Sequence, residues 1–378
     1  MRSGDTAVLI DVADLSALFG ALHRRGYTIV GPMVRDGAVV VAELGGAHEL
    51  PYGWGVDTEA GHYRLWRRAD DAAFAHCAGP QSFKDVLHPP RARLWSADRA
   101  PDGTPEVVPE PPSEKRYALF GARPCDLAAL GVLDRVLTGG DHPEPVYTGR
   151  RDGTFVVVVE CTEPGATCFC ASMGTGPHAR DGFDLALTEL VDPDHRFLVR
   201  TGSPAGAEIL AEVPTRPAPG ETVTAAAGLV DRAAATMTRH MPDEPLPPLI
   251  AASRESPHWD DVASRCLTCG NCTMVCPTCF CTTTEEVTDL TGDHVERWRH
   301  WDSCFSVDFS YLHGGAVRTS GQSRYRQWIS HKLGTWPEQF GMSGCVGCGR
   351  CIAWCPAGID ITAEAAALAA SRTGQEQS

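Results

Sequence analysis

Eleven of the sixteen cysteines in this 378-residue chain lie between Cys266 and Cys355, and eight of them fall in one pattern written twice. Cys266-Leu-Thr-Cys269-Gly-Asn-Cys272-Thr-Met-Val-Cys276-Pro277 and Cys345-Val-Gly-Cys348-Gly-Arg-Cys351-Ile-Ala-Trp-Cys355-Pro356 both follow C-x2-C-x2-C-x3-C-P without a departure. The spacing has a chemical reason. A cubane of iron and sulfide needs soft thiolates at separated iron corners. Three cysteines, each two residues from the next, curl one loop around three corners. The proline ends that loop and turns the fourth cysteine toward a second cage. Structural zinc usually takes two separated C-x2-C pairs, so the pattern favours iron–sulfur. The general rule for double motifs assigns one 4Fe-4S cluster to Cys266, Cys269, Cys272 and Cys355. It assigns another to Cys345, Cys348, Cys351 and Cys276.

The surroundings agree with a metal role for the thiols. The N-terminus lacks a basic stretch followed by an apolar one, and Arg24-Arg25 sits inside a helical pattern. No export signal is therefore read, and sixteen thiols without one are not a disulfide framework. No run approaches the ~18 apolar residues of a membrane span. The expectation is a cytoplasmic protein with no membrane partner. A net charge of −15 argues against nucleic acid, which demands a concentrated basic surface. Lysine stands at only three positions, Lys84, Lys115 and Lys332, and reads as a bias toward arginine.

The expected architecture is an α+β or α/β N-terminal domain followed by a mostly helical, ferredoxin-like domain. The segment Met241–Ile250 carries four prolines in ten residues and suits an extended linker. The division is thus residues 1–240, a linker at 241–251, and a dicluster domain over 252–373. In the first part, Asp14–Gly26 has helical spacing, with Gly26 as a stop. Ala38–Leu44, Tyr117–Phe120 and Phe155–Val159 read as strands, and Pro101–Ser113 as an exposed loop. In the second part, 68 residues (277 to 344) separate the motifs, and a helical insert is the expected filler. Its cations Arg324, Arg326 and Lys332 either offset the negative charge of the clusters or form a solvated helix face. The later tryptophans read as core.

Four further cysteines stand at informative places. Cys125 follows the strand-like Tyr117–Phe120 and opens a helical run, with Asp126 as a cap. Cys161 follows Phe155–Val159, and Cys168 and Cys170 come from the next loop. If the two strands are parallel neighbours, both thiols reach the carboxyl edge of one sheet, where α/β sites are built. Three readings stand: a third 4Fe-4S cluster on Cys125, Cys161, Cys168 and Cys170, four small buried side chains, or a redox-active thiol pair. Cys279, Cys281 and Cys304 read as packing, as tuning groups or as metal ligands with one outside partner, and Cys77 as structural. The chain has no G-x-G-x-x-G, no phosphate loop and no H-E-x-x-H. It shows no catalytic constellation, which favours a carrier.

One resemblance covers most of the chain. It rests on Cys276-Pro-Thr-Cys279-Phe-Cys281, Trp301-Asp-Ser-Cys304, Arg324-Tyr-Arg326, His331-Lys332 and Gly344–Cys351. The N-terminal half adds Leu50-Pro-Tyr-Gly53, Gly61-His-Tyr-Arg64, Gly121–Asp126 and Cys161–Gly165 with Cys168-Phe-Cys170. Together they resemble the iron–sulfur β subunit of cytoplasmic NAD(P)-linked NiFe hydrogenases, the sulfhydrogenases. The iron–sulfur A subunit of anaerobic sulfite reductase belongs to the same family. The resemblance implies a subunit carrying electrons between a flavin subunit that meets NAD(P)H and the small and large subunits of the hydrogenase. It equally implies the corresponding subunit of a sulfite or sulfur reductase. A reading of another class is a stand-alone thiol–cluster reductase of disulfide or polysulfide.

Overall fold

Four apolar runs form a parallel core: Tyr27–Arg35, Arg116–Ala122, Phe155–Val159 and Leu185–Leu190. Every residue of Phe155–Val159 and of Leu185–Leu190 is buried, as expected of strands covered on both faces. Antiparallel strands extend this sheet at both ends to eight, in the order Arg216–Pro217, Val8–Asp11, Arg196–Thr201, Leu185–Leu190, Phe155–Val159, Arg116–Ala122, Tyr27–Arg35 and Ala38–Glu43. The computed structural model describes residues 7–77 and 79–376. The first residues, on which the absence of an export signal was argued, lie outside them.

One face of the sheet packs on the helix Leu15–Arg24 through Leu15, Leu18, Phe19 and Leu22. The other packs on the helix Pro124–Thr138 through Leu130, Leu133 and Leu137. Pro124 opens that helix, where its missing N–H costs nothing. The Asp126 carboxylate accepts from Arg123 N at 3.0 Å, so it caps the helix as expected. A second core follows residue 240, built on Trp259, Tyr325, Trp328, Ile352 and Leu368. Trp259, Trp328 and Trp336 are buried, which bears out their reading as core. The junction between the two cores holds Cys125, Ala129 and Val132 against Cys170, Met237, Trp336 and Val346.

Three expectations need correction. The insert between the motifs is helical only over Gly321–Phe340, with a wide-turned stretch at Ser330–Thr335. Before that it forms a hairpin, Thr282–Thr288 with His294–Trp301, whose β-branched threonines suit a strand. His294–Trp301 pairs in turn with Arg91–Arg99, so one four-stranded sheet draws on both halves of the chain. Pro101–Ser113 is exposed, as read, but Pro105–Pro109 pairs with Arg91–Arg99 as an edge strand, the place in a sheet where proline is tolerated. Leu246–Ala252 is a short helix rather than an extended linker. Its prolines fill the first helical turn, and Leu249 and Ile250 are buried in the second core. No helix among the described residues is long and apolar enough to cross a membrane.

Candidate metal centre

The first motif loop runs from the helix His258–Arg265 into the turn Asn271–Met274. A cavity at its inner side is lined by Cys266, Cys269, Cys272, Cys351 and Cys355. Two cysteines of the second motif thus reach it, of which the crossover rule picks out Cys355. The remaining wall is apolar: Leu267, Phe305, Tyr325, Trp328, Ile359 and Ile361. Cys269 is exposed. Thr268 N donates to Cys266 Sγ at 3.4 Å, a type of contact that steadies a thiolate.

The second set is buried deeper. Cys351 interacts with Cys345, Cys348 and Cys276, and next with Cys272 of the first set. Gly347 N donates to Cys345 Sγ at 3.5 Å. Cys276 receives Lys332 Nζ at 3.4 Å and lies 3.2 Å from the Thr278 hydroxyl. Burial pushes the free thiols of Cys266, Cys272, Cys345, Cys348 and Cys351 up, Cys345 to about 12. Cys276 goes the other way: the neighbouring Cys279 thiol, then the Lys332 ammonium, favour its thiolate.

The third set also converges. Arg116–Ala122 and Phe155–Val159 are parallel neighbours, so Cys125 and Cys161 share the carboxyl edge of the sheet. Cys168 interacts with Cys170 and Cys161, and Cys125 with Cys170. Burial holds the Cys125 thiol well up, with Asp126 adding to it, despite its place in the first helical turn. The set abuts the second motif. Phe169 N donates to Gly347 O at 2.9 Å, and Cys125 and Cys170 both interact with Cys348. Cys77, read as structural, stands beside Cys168 and Cys161. It lies far from them along the chain, and no spacing could have revealed it.

Sulfur-only donor sets have the chemistry that iron–sulfur cages take, and here they are spread too widely for one zinc. A single tetrahedral zinc, with Zn–S bonds of about 2.3 Å, would hold its sulfurs roughly 3.8 Å apart. Among the described residues, no three thiols come within 4.8 Å of one another. Buried donors without partners surround the sets: Tyr325 Oη and Trp328 Nε1 at the first, Arg350 Nη1 at the second. Such orphans are rare in folded proteins and await an acceptor. Arg350 is buried between Cys348 and Cys125 and donates to Asp126 Oδ1 at 2.9 Å. Buried Arg123 lies by Cys161, donating to His76 O at 2.9 Å. One other group of donor atoms, His258, Asp261 and Glu364, comes together. Arg265 lies across it, 3.0 Å from Asp261 Oδ2 and from Glu364 Oε1, so it is an ion-pair network.

The expected cations divide. Lys332 reaches a motif thiol, whereas Arg324 donates to Phe305 O and Arg326 to Arg254 O, tying loops. Lys84 was missed. It is buried, donates to Cys279 O at 3.1 Å, and lies 3.6 Å above the Trp301 ring.

Known proteins fit this geometry. Residues 265–359 match the family described as a 4Fe-4S dicluster domain. The sulfhydrogenase 2 subunit beta of Pyrococcus furiosus is 36% identical over 258 residues, covering 67% of this chain and 74% of that protein. The chain belongs to the sulfhydrogenase beta-subunit family. As an iron–sulfur member of that family, it carries a C-terminal 4Fe-4S dicluster domain on a mixed α/β body.

Proposed function

We propose that this chain is the wire of a hydrogenase complex. It passes electrons between a flavin subunit that reacts with NAD(P)H and a NiFe hydrogenase small and large subunit pair. Cys266, Cys269, Cys272 and Cys355 hold one 4Fe-4S cluster, and Cys345, Cys348, Cys351 and Cys276 hold the second. Cys125, Cys161, Cys168 and Cys170 hold a third. When bound, the clusters supply one-electron storage.

The observation that carries this reading is the adjacency of the three thiol sets. The third set touches the second at Gly347 and Cys348, and the second touches the first at Cys351 and Cys272. The cysteines therefore mark a path rather than separate structural sites. The path meets solvent at Cys269 beside Leu267, where a partner can approach.

The test is anaerobic purification of the tagged chain from its native host. The expected result is co-purification of flavin and hydrogenase subunits, and about twelve irons in this chain once it is separated from them, for three cubanes. About eight irons would remove the third cluster. A sirohaem protein as the companion would move the same wire to sulfite. A chain with neither iron nor partner would overturn the reading.

A further inference from the structure

The cysteine that crosses from the first motif to the second set is surrounded unlike the others. Lys332 Nζ donates to Cys276 Sγ at 3.4 Å, to Thr278 Oγ1 at 2.9 Å and to Gly344 O at 2.9 Å. Its three protons are thereby placed, and Lys332 is only 3% exposed. The Thr278 hydroxyl has one proton to share between Gly344 O, at 2.7 Å, and the Cys276 sulfur, at 3.2 Å. Lys84 lies against the same loop, donating to Cys279 O. Thus two of the chain's three lysines are buried around Cys276–Cys279, while the third, Lys115, is exposed and paired with Glu43.

Neither buried lysine has a carboxylate ion-pair partner among the described residues. A buried ammonium without an anion is costly, so the anion belongs to the neighbouring thiolates and what they hold. Among the described residues the wall of the first set holds no lysine; Arg324 acts on Cys266 while its guanidinium is tied to Phe305 O. A compact ammonium suits this place, because it donates in three directions from one atom, whereas a guanidinium spreads its donors over a plane.

We infer that Lys332, held in place by Thr278 and Gly344, is a positioning residue that raises the reduction potential of the second cluster above that of the first, so that electrons rest at the middle of the wire. The inference rests on the reading of Cys276 as a cluster ligand. Reduction brings one electron from an external reductant to the four-thiolate assembly, with no bond made or broken. The fixed positive charge of Lys332 therefore favours the reduced form more than the oxidised one. Lys84 adds to the same field from the other side of the loop.

The test is a dithionite redox titration of the anaerobically purified complex, followed by electron paramagnetic resonance, in four versions. Lys332→Met removes the charge and keeps the bulk, Lys332→Arg keeps the charge, and Thr278→Val removes the acceptor that holds the ammonium. Lys115→Met is the surface control. In Lys332→Met one midpoint falls and the others stay. Thr278→Val lowers the same midpoint by less, and Lys115→Met moves none. Unchanged midpoints in a Lys332→Met protein with full iron would overturn the inference, and so would an equal shift in Lys115→Met. Should Lys332→Met fail to assemble, Thr278→Val and Lys332→Arg decide. A lowered midpoint in Thr278→Val, with Lys332→Arg closer to the parent, supports it; no shift in Thr278→Val overturns it. Iron counted in the parent protein separates the two claims, because a chain without about eight motif-bound irons fails the relay reading itself.

Discussion

The two motif loops share one spacing and face opposite neighbours. Position by position, Leu267 answers to Val346, Thr268 to Gly347 and Asn271 to Arg350. Leu267 is 64% exposed, whereas Val346 is 3% exposed. Thr268 and Gly347 both take the left-handed backbone, at φ 50° and 65°. The first carries a half-buried threonine whose Cγ2 lies against Gly321, where an added Cβ would come within 3.0 Å of it. The second must be glycine. A Cβ there would come within 2.7 Å of the Cys170 backbone, because the loop carrying Cys168 and Cys170 packs against it. Asn271 bonds to Trp354 O within the domain, while Arg350 reaches across to Asp126 and Gly79. The ligand spacing makes a cage. The residues between the ligands decide whether it faces a partner or the rest of the chain.

That contrast can be broken, and the largest effect is expected at Cys351, where the second set touches the first. Cys351→Ala should lose a cluster, about four irons per chain, and block electron transfer through the complex. Full iron with full transfer would remove Cys351 from the wire. Next comes Gly347→Val, which should cost the third cluster and leave the first intact, because the clash falls on Cys170. Iron analysis and the spectrum of the remaining clusters would check this; loss of the first cluster alone would contradict the contrast. Arg350→Met should follow, destabilising the folded complex by about 3–5 kcal/mol, since it leaves the buried Asp126 carboxylate without its cation. Denaturation under anaerobic conditions would measure it, and an unchanged midpoint would show that the bridge carries no weight. The smallest effect is expected of Thr268→Gly. It relieves a left-handed threonine and should leave stability within about 1 kcal/mol, with all iron retained. A loss of iron there would mean that the outer loop is packed as tightly as the inner one.

Much of the site could be read from residues because cluster ligation is written in spacing. The approach of Cys351 and Cys355 to the first motif loop follows the doubled spacing, and that of Cys125, Cys161, Cys168 and Cys170 follows two apolar strands that the fold makes parallel neighbours. The hairpin Thr282–Trp301 was not legible. It is polar on both faces, so it lacks the alternation that marks a strand half-buried in a core. Its partner Arg91–Arg99 lies nearly two hundred residues away, and such long-range pairing leaves no local signal. The helix Leu246–Ala252 was hidden because proline signals an extended chain and a helix start alike. The scarcity of lysine was visible but read as bias. Only the fold shows that two of the three lysines are gathered beneath one cysteine, where a small, many-handed cation is needed.

The central claim is that equal spacing holds unequal clusters in one path. Redox titration of the unmodified complex, with each cluster followed by its paramagnetic signal, tests it most directly. The account predicts separate midpoints for the two motif clusters, with the buried one reduced first and the one beside exposed Cys269 reduced later. A single shared midpoint, or reduction of the exposed cluster first, would contradict it.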